Sequence, residues 1–155
     1  MQIKDFISEE GIVFSPSVSS KKAALEILSD TLTYQENNLN KNKILDALLA
    51  REKLGSTGLG EGIAIPHCRI EELEKISVTM LKLEEGVEYE ASDDKPVFFL
   101  FCLVVPEDAN EEHLELLANL AELLDNEQLR NSIQKCSNAR ELHQILTQDP
   151  KNLAA

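Results

Sequence analysis

Tryptophan is absent from the 155-residue chain, aromatics reach only 5%, and cations are scarce, with 15 Lys and Arg against 28 Asp and Glu. The formal net charge of -13 lacks the basic footprint that binding to a phosphate backbone requires, so nucleic acid is not an expected partner. Cysteine is also rare. Cys68, Cys102 and Cys136 are evenly spaced with no C-x-x-C pair, and an odd count without a signal peptide points to free thiols in a reducing, cytoplasmic compartment. Long apolar runs are missing as well: "VFFLFCLVV" at 97–105 is nine residues, against the roughly twenty of a membrane helix. The start, "MQIKDFISEEGIVF", is acidic early and has no apolar stretch of signal-peptide length. Membrane insertion is therefore not expected.

What is present is ordinary globular composition, 43% hydrophobic and 28% charged, without internal repeats, linkers or low-complexity tracts. One domain over residues 1–155 is expected, large enough to bury roughly two thirds of its unfolded surface. "SKKAALEILSDTLTY" from Ser20 places Ala24, Leu25, Ile27, Leu28 and Leu32 on one face of a helix with Ser20 as its N-cap. "KNKILDALLAREKLG" predicts a second helix that stops at Gly55. The loop "STGLGEG" and a short strand "IAIP" follow. "ISVTMLKL", 76–83, reads as a strand, and "PVFFLFCLVVP", 96–106, as one buried on both faces. Amphipathic helices are predicted at 110–126, capped by Asn110, and at 138–148, where Asn138 and Glu141 resemble a capping box. "GIVF" offers a further early strand. The two long strand candidates have no helix between them, so the fold class is α/β with a mixed sheet covered by helices.

The chemistry concentrates in "GSTGLGEGIAIPHCRI", residues 55–70. The loop is not a Walker P-loop, because no G-K-[ST] closes it, nor a dinucleotide fingerprint, because the helix precedes the glycines and the strand follows. Ser56 directly after Gly55 also breaks the G-x-S-x-G nucleophile elbow. Two readings of the loop stay open: a cradle in which bare amides wrap an anion, or a turn-rich connector. His67, fixed behind Pro66, is either a presented imidazole or a structural one. His113 falls in the first turn of the helix at 110–126, where unpaired amides and the positive end of the macrodipole would hold an anion. It is otherwise a surface histidine. Arg51 ends the second helix, within reach of an oxyanion held by the loop or simply at a position common for cations. His143 reads as structural or solvated. Cys68 beside His67 does not make a metal site, because too few ligands accompany it.

Taken together, "AREKLGSTGLGEGIAIPHCRI", "SKKAALEILS", "FFLFCLVVPEDANEEHLELLANLAELL" and "LRNSIQKCSNARELHQIL" closely resemble the type-2 IIA proteins of the bacterial phosphotransferase system. This is the mannitol/fructose-type family, and the nearest branch is the nitrogen-regulatory one. The resemblance runs from about residue 5 to 148 and implies a mixed sheet of about five strands with helices on both faces. It implies that His67 accepts a phosphoryl group as tele-phosphohistidine from an HPr-like carrier (NPr), that His113 supports that group, and that Arg51 stabilises its oxygens. Ser56, Thr57 and Gly58 would line the phosphate pocket. Cys68 stands where many members carry Gly. No metal or cofactor need be invoked, because the leaving imidazole is good and the acceptor preorganised. The outputs implied are phosphorylation-dependent contacts with targets such as sensor kinases or potassium transporters. The competing reading is a sugar-specific IIA subunit that passes the group to a IIB cysteine.

Overall fold

The computed structural model describes residues 3–36, 38–109 and 111–147. Six strands form one mixed sheet: β1 (Ile12–Ser15), β2 (Gly58–Gly60), β3 (Ile63–Ala64), β4 (His67–Ile70), β5 (Ser77–Val87) and β6 (Val97–Pro106). Five α-helices accompany them: α1 (Lys21–Gln35), α2 (Lys41–Lys53), α3 (Glu111–Leu124), α4 (Glu127–Lys135) and α5 (Ala139–Thr147). The order across the sheet is β1-β5-β6-β3-β2, with β4 also paired to β6. β5 and β6 run antiparallel, whereas β1 lies parallel to β5, and both β3 and β4 lie parallel to β6.

Six strands replace the five implied by the resemblance, and Pro66 supplies the reason. Ile63 pairs with Phe99 and His67 with Leu103, so β3 and β4 keep the same offset along β6 and are one line of chain. Proline brings no N–H to the ladder, yet its carbonyl still accepts from the Leu103 amide at 2.9 Å. His67 therefore opens a strand of its own instead of lying just beyond the end of "IAIP".

β6 is buried on both faces, as its unbroken apolar run predicts. Leu100, Cys102 and Val104 face α1 and α2 in one core, while Phe99, Phe101, Leu103 and Val105 face α3, α4 and α5 in the other. Ser20 caps α1 by accepting from the Ala23 amide at 3.1 Å, and Asn40 caps α2 through Asn42 and Lys43. At α5, Asn138 accepts from Glu141, but the Glu141 carboxylate returns to the amide of Ser137, one residue before the box position. The expected cap Asn110 lies outside the described residues. α4 was not legible as a helix of its own: only Leu129 and Ile133 are buried on it, too few apolar positions to declare a period.

Candidate functional site

Two elements deliver the site. α2 ends in Arg51, Glu52 and Lys53, and its exit at Leu54 and Gly55 leads through Ser56 and Thr57 into β2. β3 then returns to Ile65 and Pro66, and His67 stands at the head of β4, half-buried. His67 Nδ1 lies 2.9 Å from the Ile65 carbonyl, while Arg51 Nε donates to His67 Nε2 at 3.3 Å. Guanidinium can only donate, and a carbonyl can only accept. Both contacts therefore demand one tautomer, with the proton on Nδ1 and the lone pair on Nε2. Burial, aided by the Arg51 charge, holds the imidazole below its ordinary pKa against the opposing pull of Ile65 and Glu52. It is neutral at pH 7, with Nε2 as its nucleophilic atom.

Arg51 is itself oriented, because Nη1 donates to the Gly55 carbonyl at 2.9 Å. The neighbouring loop is folded onto itself. Ser56 Oγ donates to the Tyr89 carbonyl at 2.9 Å and accepts from the Gly58 amide at 3.1 Å. Thr57 is buried, its amide donates to Glu52 Oε2 at 3.0 Å, and its hydroxyl contacts Glu52 Oε1 and Tyr89. The three residues expected to line a phosphate pocket thus have partners within the loop, at the end of α2 and in the 88–96 connection. A Cβ at Gly58 would sit 2.7 Å from Ala91 Cβ, so that glycine permits close approach of two loops.

Two residues escaped the sequence reading. Glu52 is a buried carboxylate whose position was signalled, since Leu45, Leu48 and Glu52 recur at helical spacing on the buried side of α2. Burial acts to raise its pKa, but hydrogen bonds from Thr57, Lys21 and Tyr89 more than offset this and hold it below the usual carboxylate range. Arg69, two residues beyond His67, donates through Nη1 to the carbonyls of Glu107, at 3.0 Å, and Ala109. It ties β4 to the loop that enters α3, and nothing in the sequence pairs positions so far apart.

His113 occupies the first turn of α3, as expected, and its side chain lies outside the described residues. Cys68 packs into the α1–α2 core with Cys102, and burial pushes its thiol up. Its sequence adjacency to His67 is not spatial partnership, because neighbouring residues of a strand point to opposite faces. His143 is half-buried on α5. Among the described residues, no three His, Cys, Asp or Glu are grouped to hold a metal ion, and no helix is long and apolar enough to cross a membrane. A separate groove of about 900 Å³ is lined by Phe14, Lys82, Phe98, Arg130 and Ile133 among others, and by none of the residues around His67.

A family model described as "Phosphoenolpyruvate-dependent sugar phosphotransferase system, EIIA 2" matches residues 5–149. A nitrogen regulatory protein of Pseudomonas aeruginosa is 42% identical over 82% of each chain. One from Bradyrhizobium diazoefficiens is 34% identical over 99% of this chain and 100% of its own. The crystal structure of nitrogen regulatory protein IIA-Ntr from Neisseria meningitidis superimposes with a TM-score of 0.87 at 39% identity, covering 94% of this chain and 99% of the other.

Proposed function

The chain belongs to the EIIA 2 family of the phosphoenolpyruvate-dependent sugar phosphotransferase system, and from that premise we propose that it is a cytoplasmic nitrogen-regulatory IIA protein that accepts a phosphoryl group on Nε2 of His67. The donor is a phosphohistidine on an HPr-like carrier. The observation that carries this reading is the pair of contacts on one imidazole, Nδ1 to the Ile65 carbonyl and Nε2 to Arg51.

The Nε2 lone pair attacks phosphorus in line. The new N–P bond forms as the donor's breaks, and the electron pair of the broken bond returns to the donor's imidazole. No proton has to leave His67. The Nδ1–H stays against the Ile65 carbonyl, whose dipole stabilises the positive charge that builds on the ring. The Arg51 Nε–H covers the nucleophilic nitrogen in the resting site, so the guanidinium must yield that position as phosphorus arrives. Its donors are then placed for the phosphoryl oxygens, which match a planar fork. His113, at the positive end of α3, is the second support for those oxygens. Ser56, Thr57 and Gly58 act by holding the loop, and through Gly55 they hold Arg51.

The regulatory assignment rests on the names carried by relatives 42% and 34% identical to this chain and on what the phosphoryl group would change. It adds negative charge at the half-buried His67, so that a partner meets a different surface in each state. Sensor kinases and potassium transporters are the target classes.

The test is intact mass after incubation with phosphoenolpyruvate, the first enzyme of the phosphotransferase system and an HPr-like carrier, for wild type and His67→Ala. One acid-labile phosphoryl adduct on wild type and none on the variant is expected. No adduct with either a sugar-branch or a nitrogen-branch carrier overturns the proposal. Rapid onward transfer to a cysteine-bearing IIB would assign the protein to sugar uptake instead.

A further inference from the structure

Behind Arg51 lies a buried ionic cluster centred on Glu52, a residue not used in the chemistry just described. Four segments, two of them only five residues apart, send one residue each to the same place. Lys21 opens α1, Glu52 sits in the last turn of α2, Thr57 belongs to the glycine loop, and Tyr89 lies between β5 and β6. Lys21 Nζ meets Glu52 Oε2 at 2.9 Å, and Tyr89 donates to Glu52 Oε1 at 2.9 Å. Thr57 engages both carboxylate oxygens, by its amide and by its hydroxyl. Lys21 also stands over the Tyr89 ring, 4.4 Å from its centroid. The Glu52 side chain is 5% exposed.

Such a cluster is a poor way to gain stability, because desolvating two charges consumes most of what their attraction returns. It is a good way to fix geometry, since a carboxylate with every lone pair engaged has one place to be. What it fixes is specific. Arg51 is the residue before Glu52, and the Gly55 carbonyl that receives Arg51 Nη1 is three residues after it. Thr57 and Tyr89 are the flanking anchors of Ser56, by chain connection and by the hydrogen bond to the Tyr89 carbonyl.

We propose that Glu52 is a positioning residue of the His67 site: its buried carboxylate, gripped by Lys21, Thr57 and Tyr89, locks the end of α2 and the glycine loop so that Arg51 meets His67 Nε2 and the ring is kept in one tautomer. The inference rests on the reading of His67 as phosphoryl acceptor. The charge of Glu52 is the smallest of the influences on the His67 ring; its hydrogen bonds and ion pair go to Lys21, Thr57 and Tyr89, and it acts chiefly through the placement of Arg51.

The experiment compares wild type with Glu52→Gln and Tyr89→Phe, with folding checked by circular dichroism. Long-range proton–nitrogen spectra report the His67 tautomer in the full, unphosphorylated chain without any donor. Rapid-quench kinetics with the phosphorylated carrier separate the maximal rate from the carrier concentration that half-saturates it. For Glu52→Gln the Nδ1–H signature should give way to averaged ring nitrogens, and the maximal rate should fall by up to about 100-fold, the scale of an ångström-sized misplacement. Half-saturation should stay within about twofold. Tyr89→Phe, which removes one hydroxyl and keeps the ring, should move both readouts the same way by less, and it carries the test if Glu52→Gln does not fold. Folded variants with the wild-type ring spectrum and maximal rate would overturn the proposal, as would weakened carrier affinity at an unchanged maximal rate. If the wild type takes no phosphoryl group while the ring spectra still shift, the acceptor reading fails and the positioning role stands.

Discussion

His67 combines two requirements that usually conflict: it is close to a permanent cation, and it must keep one ring nitrogen unprotonated. The conflict is resolved by donor and acceptor chemistry, because Arg51 donates to the one ring nitrogen that the Ile65 carbonyl leaves unprotonated. Burial then keeps the ring neutral, with a pKa below the ordinary histidine value, and this has a signed consequence. The unfolded chain's imidazole titrates near about 6.5, while the folded one binds its proton only at lower pH. Above the unfolded value the site exerts no proton-linked penalty on folding, and its contribution is lost as pH falls through the folded value. Phosphoryl acceptance by His67 should accordingly stay level from pH 8 down to about 6.5 and fall only below that. Its ring resonances should titrate with a midpoint under 6.5, and a midpoint at or above it would contradict the burial argument. The resemblance placed His67 and Arg51 at one site, and the structure brings them within hydrogen-bond distance. The tautomer was not legible, since it depends on the Ile65 carbonyl, whose direction the fold sets. Glu52 could have been found by asking why an acidic residue continues the apolar stripe of Leu45 and Leu48.

At the scale of elements, the apolar period revealed α1, α2, α3 and α5 together with β5 and β6, all of which have many buried positions to declare themselves. β2 and β3 are three and two residues long, too short for any period; the apolar "IAIP" marked the place of β3, whereas β2 exists because β3, itself paired to β6, offers it an edge. The glycine loop shows the other limit. Its glycines invite an anion-cradle reading, but Gly58 answers to Ala91, which lies far along the chain and is brought close only by the fold of the 88–96 connection. A methyl group at Gly58 would fall 2.7 Å from Ala91 Cβ and 2.8 Å from Ala91 Cα, and neither atom can swing away. Gly58→Ala should therefore destabilise the protein by about 1–3 kcal/mol, the scale of overpacking, and lower the thermal midpoint in calorimetry. Ala91→Gly in the same chain should recover part of that loss, because it removes the Cβ at 2.7 Å and leaves Ala91 Cα at 2.8 Å. A Gly58→Ala variant that melts with the wild type would show that the two segments separate without cost.

The molecule as a whole is a single sheet with a core on each face, and β6 is the plane they share. Composition made the α/β class and the need for two apolar layers readable, because a strand such as "VFFLFCLVV" has no polar side to turn toward water. The surface was readable only in total, as a net charge of -13, and its distribution decides what that charge does. Among the described residues three ion pairs are formed, Lys21–Glu52, Lys41–Asp30 and Lys43–Glu72, and only the first is buried. Exposed pairs contribute little, so the net charge of -13 acts chiefly as repulsion between like charges. That repulsion weakens the compact state, and salt should relieve it as the screening length falls from about 30 Å at 0.01 M to about 10 Å at 0.1 M. The thermal midpoint should rise over that range of sodium chloride and level off above it, since charges further apart than the screening length no longer matter. The buried Lys21–Glu52 pair is shielded from mobile ions and should not offset the gain. A midpoint that stays flat or falls with added salt would show that surface pairing outweighs repulsion, and that the excess acid is dispersed widely enough for the fold to be indifferent to it.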